Sequence, residues 1–117
     1  MGLFGRGRRG ARFADLIDRQ LDLFLADSRD LLARIDAAER AYDAAGRDAA
    51  DPNEATQLWG DVVDLVEEGT ETLADTRDHY AWNQLGAGSD EAEEYIAAFN
   101  RAVAKRLPRF GLEIENR

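Results

Sequence analysis

The sequence has no cysteine, which excludes disulfides, thiolate nucleophiles and thiolate metal ligands together. Serine occurs only at Ser28 and Ser89, and histidine only at His79, so nucleophilic catalysis has little to draw on. No apolar run approaches the roughly 20 residues that a membrane-spanning helix needs. The N-terminus is basic, but no apolar segment of a secretory leader follows it, so a cytoplasmic location is the default expectation. Only two prolines, Pro52 and Pro108, interrupt the chain, which leaves room for long helices. Cations are scarce in the middle. Between Asp48 and Glu94 the one Lys or Arg is Arg77, against 14 Asp and Glu.

The net charge of −9 is therefore unevenly spread. Residues 1–12 carry +4, residues 13–47 carry −3, residues 48–94 carry −13 and residues 95–117 carry +3. Such a balance disfavours a general nucleic-acid binder. A hydrophobic content of 44% in 117 residues fits one folded domain with a modest core.

The chain is organised around the stretch from Asp51 to Leu85. Asp51, Pro52 and Glu54 form a helix start, with Asp51 as the N-cap and Pro52 in the first helical position. Ala55, Trp59, Val62, Val66, Gly69, Leu73, Thr76 and Tyr80 then alternate steps of four and three, which places them on one side of a helix. Leu58, Val63 and Leu65 widen that stripe in its first half. Gly69 inside the stripe marks a place where a neighbouring helix or bulky side chain comes close. Asp61, Asp64, Glu68, Glu71, Asp75 and Asp78 follow the same steps on the opposite side and form an acidic ridge. Like charges at this spacing repel, so the ridge is a candidate docking face for a basic protein partner as well as a solvated surface.

A first helix is expected from Phe13 to Ala45, with Ile17, Leu21, Phe24, Leu31, Ile35, Ala38 and Tyr42 in its seam and Ser28 interrupting it. Leu16, Leu23, Leu25 and Leu32 broaden its apolar arc enough to require two neighbours. A third helix starts at Ser89 or Asp90, has Tyr95, Ile96, Phe99, Ala102 or Val103, and Leu107 on its apolar face, and ends at Pro108. Its acidic start and basic end complement the helix dipole. Beyond Pro108, the alternation of Phe110, Leu112 and Ile114 with polar residues predicts an extended segment. The expected fold is all-α, an antiparallel bundle of three helices, two long and one shorter. A flexible basic tail covers residues 1–12, the bundle residues 13–107, and a tail packing on the bundle or on a partner residues 108–117.

The helix lengths do not match. Two helices of about 33 residues extend roughly 50 Å, and a third of about 18 residues covers half of that. At the end near Gly46, Leu58, Trp59, Val62 and Val63 are left with only a two-helix hairpin around them. The C-terminal tail or a second chain must cover them, so a homodimer through these four residues is expected.

Two further candidates remain. Glu71, Asp75 and His79 step along one helical face, and carboxylates with histidine on helices build the metal sites of ferritin-like bundles. Those use Glu-x-x-His, however, and Asp-x-x-x-His departs from it. Arg6, Arg8, Arg9 and Arg12 in a glycine-rich setting, after Leu3 and Phe4, form a candidate tether to a membrane or nucleic acid. No sequence feature calls for a cofactor, and the leading expectation is a non-catalytic interaction domain.

Overall fold

The computed structural model describes residues 12–48 and 51–117, without the side chains of Arg47 and Asp48. Among the described residues the chain is all-α, in five helices. Helix α1 spans Ala14–Asp27 and α2 Arg29–Asp48. Helix α3 spans Pro52–Tyr80 and runs on through a π-helical stretch, Ala81–Gly86, to make one joined helix of 35 residues. Helix α4 spans Asp90–Arg106 and α5 Pro108–Glu115. None of the described helices is long and apolar enough to cross a membrane. The expected flexible tail, apart from Arg12, lies outside the described residues.

The expected helix starts are present. The Asp51 carboxylate accepts a 2.9 Å hydrogen bond from the Asn53 amide with Pro52 in the first turn. Ser89 Oγ accepts from the Ala92 amide at 3.1 Å. These contacts satisfy amides that a helix N-terminus leaves without internal partners.

The three-helix expectation is corrected in two places. The first expected helix is two helices. Ser28 leaves helical geometry, at φ −109° and ψ 22°. Its amide still donates to the Phe24 carbonyl and its carbonyl still accepts from Leu32, so the chain bends there without ending. On either side of the bend the partners differ: α1 packs on α4, while α2 packs on α3.

The second correction is the C-terminal segment, which is a helix rather than an extended strand. Phe110, Gly111 and Ile114 are buried, whereas Leu112 is 73% exposed. An i, i+4 pair inside with i+2 outside is a helical pattern, which five residues of alternation cannot distinguish from a strand. Pro108 stops α4 and opens α5, since proline is suited to a first helical turn.

Helix α5 packs on α3 and α4 and closes the core. Phe110 meets Phe24 edge to face, with ring centroids 5.6 Å apart. Gly111 allows α5 to fold tightly back on α4: a Cβ there would lie 2.7 Å from the Cα of Ala104. Tyr95 centres the other half of the core, with Phe13 and Tyr80 at 5.5 and 4.8 Å. Helix α4 lies parallel to α1. Arg12 pairs with Glu91 near one end, and Arg106 reaches Asp22 at 2.7 Å near the other. The whole body is elongated, 62 Å in its longest direction.

Candidate interaction surface

The buried stripe of α3 shifts along its length because its neighbours change. Val62 is buried in the first half, and Gly69, Thr70, Leu73, Ala74 and Arg77 are buried further on. Towards its start, among the described residues, α3 has only α2 and α5 beside it. Trp59 remains 51% exposed and Val63 44% exposed, although both stand in or beside the stripe. The Trp59 ring leans on Tyr42 of α2, centroids 5.1 Å apart, which covers one of its faces.

These residues line a groove of about 390 Å³ between α2, α3 and α5. Val62 and Val66 form its apolar base with Trp59 and Val63, and Leu112 contributes from α5. Its polar lining is Glu39, Glu67, Arg109 and Glu113. Arg109 is already engaged by Asp36 and Glu39 at 3.0 and 3.1 Å. Arg117 likewise pairs with Glu67 at 3.1 Å. Carboxylates therefore outnumber cations around the groove.

The four interface residues expected from sequence separate here. Trp59 and Val63 are exposed, and Val62 is the buried floor. Leu58 is half-buried and does not line the groove. Leu112, Glu39, Arg109 and Glu113 were missed because they come from other helices. A helical reading of the segment after Pro108 places Leu112 and Arg109 on the side opposite Phe110 and Ile114.

On the acidic ridge, Asp61, Asp64, Glu68, Glu71 and Asp75 are exposed, and Asp78 is partly buried. Asp78 accepts from Arg77 Nε at 2.8 Å. Arg77 itself does not project from the ridge. It is buried at 4% exposure, and its Nη1 donates to Asn100 Oδ1 and to the Ile114 carbonyl. Arg77 thus ties α3 to α4 and α5.

His79 is exposed, and its Nδ1 lies 3.1 Å from the Asn83 amide nitrogen. Glu71, Asp75 and His79 stay strung along a single helix. Among the described residues no group of three or more His, Asp or Glu side chains is placed to hold a metal ion. Of the tether candidates, Arg6, Arg8 and Arg9 lie outside the described residues. Arg12 pairs with Glu91 at 3.0 Å and lies over the Phe13 ring at 5.2 Å.

No family model matches the chain, and no curated protein and no solved structure matches it.

Proposed function

We propose that the chain is a non-catalytic helical interaction domain that associates with a second copy through the open end of the α2–α3 hairpin. The observation carrying this reading is the convergence of Trp59, Val63 and Leu112, three exposed large apolar side chains from two separate helices, on one groove. Single exposed apolar residues are ordinary, as Leu23 and Trp82 are elsewhere on this chain; a contiguous group bordered by charges marks a contact surface. Aromatic and bulky apolar side chains at the centre of such a surface dominate binding, while the charged border excludes water and sets specificity. Glu39, Glu67 and Glu113 line the groove with carboxylates, which favours basic groups in the partner.

Light scattering at several protein concentrations tests the reading. The wild-type chain is expected to show a dimer mass, and Trp59→Asp and Leu112→Asp are expected to show a monomer mass. Leu112→Asp is the cleaner variant, because Leu112 is 73% exposed and its loss leaves the core intact. Deleting the C-terminal helix does not serve here, since it removes buried Phe110 and Ile114. A wild type that is monomeric at every concentration would overturn the reading.

A further inference from the structure

The groove calls for an occupant that is apolar at one point and cationic beside it. Glu39, Glu67 and Glu113 line it with Arg109, while Asp36 pairs with Arg109 and Glu71 stands beside Glu67 at Arg117. Residues 1–12, MGLFGRGRRGAR, have the complementary composition: Leu3 and Phe4, then four arginines, and no acid. The other acid-free basic stretch, residues 95–112, is already folded into α4 and α5, with Phe99 and Phe110 in the core.

Reach decides which copy supplies the segment. Phe13, at the head of α1, packs on Tyr95, and Arg12 is held at that end by Glu91. Tyr42, which touches Trp59, stands 29 residues further along two nearly continuous helices, about 43 Å away at 1.5 Å per residue. From Arg12 back to Phe4 an extended chain covers only about 28 Å. A chain's own Phe4 therefore falls short of the Tyr42–Trp59 end of its own groove. Two copies lying side by side and antiparallel place the Phe13 end of each beside the open end of the other. That exchange is reciprocal, and a two-fold axis closes it.

We propose that the groove of each copy receives the N-terminal segment of a second copy, with Leu3 and Phe4 entering among Trp59, Val63 and Leu112 and Arg6, Arg8 and Arg9 lying along the α3 carboxylates. This deepens the self-association reading and rests on it. The test uses a fluorescent peptide, Met1–Arg12, titrated into the chain lacking residues 1–11, which keeps Phe13 in the core. The polarisation should rise to saturation. Affinity should fall at least tenfold with Phe4→Asp in the peptide or Leu112→Asp in the protein, and should weaken as salt is added. In light scattering, removing residues 1–11, or replacing Arg6, Arg8 and Arg9 with Glu in the full chain, should convert dimer to monomer while melting curves stay cooperative.

Absence of saturable peptide binding would overturn the proposal. So would binding indifferent to both Asp substitutions, because it reduces the contact to arginines attracted by a negative surface. A deletion variant that remains a dimer would overturn the exchange and leave association through the groove standing. A wild type that is monomeric throughout would remove both.

Discussion

Phe110 of α5 occupies the space that a side chain at Gly69 of α3 would need: a Cβ at Gly69 would lie 2.5 Å from Phe110 Cε1. The ring has no room to retreat, since it is 1% exposed and packs edge to face on Phe24. This contact anchors α5 beside the groove, so it positions Leu112 as well as sealing the core.

Gly69→Ala should therefore destabilise the fold, although alanine is the better helix former by about 1 kcal/mol. Overpacking a closed core costs about 1–3 kcal/mol, so the net loss expected is about 1 kcal/mol. Gly60, on the same helix, has nothing within 4 Å of its would-be Cβ. There Gly60→Ala should stabilise by about 0.5–1 kcal/mol. Urea unfolding of the two variants checks the opposite signs, and a stabilised Gly69→Ala would show that α5 yields.

Arg77 makes a second prediction. Removing it leaves Asn100 Oδ1 and the buried Ile114 carbonyl without their guanidinium donor. The Ile114 carbonyl keeps a 3.3 Å bond from the Arg117 amide, so Arg77→Ala should lose what hydrogen bonds from a charged group contribute, about 1.5–3 kcal/mol. The damage should concentrate at the C-terminus, since Ile114 belongs to α5. Limited proteolysis should then cut near residues 107–117 before it cuts α2 or α3; uniform cleavage would argue against this local role.

Most of the helical content was legible because caps and apolar spacing are local signals. Asp51–Pro52 and Ser89 open the helices they were expected to open, and Ile17, Leu21, Phe24 and Ile35 are buried as their spacing predicts. The close approach at Gly69 was legible too, but its partner Phe110, 41 residues away, was not. Neither was the burial of Arg77, which looks like an ordinary member of a charged face until Ile114 is brought to it across the fold. Leu112 was hidden for a related reason. Once the segment after Pro108 is extended, Leu112 shares a face with Phe110 and Ile114; once it is helical, Leu112 faces out.

Alkaline pH provides a third prediction. Burial pushes the Tyr95 phenol well above its ordinary value, and its hydroxyl donates to Gln20 Oε1 at 2.8 Å. An unfolded tyrosine ionises near about pH 10, so the folded state retains the proton over a range where the unfolded state loses it. The resulting contribution to stability is complete below about pH 10 and declines as pH rises above it towards the folded value. Tyr95→Phe should lose the hydrogen bond, at about 0.5–1.5 kcal/mol near neutral pH, and flatten the alkaline decline. Denaturant midpoints followed from about pH 8 upward for both proteins check this, and parallel curves would assign the decline to other groups.

The last prediction concerns the ridge. Asp64 and Glu68 stand one turn apart, as do Glu71 and Asp75, and all four are exposed. Of the four, Glu71 approaches Arg117 at 4.0 Å, while Arg117 keeps its shorter 3.1 Å contact with Glu67. Like charges at this spacing cost a few tenths of a kcal/mol per pair, so replacing all four with Gln should hold or raise the melting temperature. The gain should be largest at low ionic strength and shrink towards 0.1 M salt and above, where screening acts within about 10 Å. A docking role adds a second requirement. If these carboxylates receive cations of a partner, the Gln variant should lose dimer mass in light scattering while becoming no less stable. Stability and association moving in opposite directions is the signature of a surface kept charged for binding. A variant that melts earlier would instead mean that the four carboxylates support the fold, and one that dimerises unchanged would reduce the ridge to a solvated face.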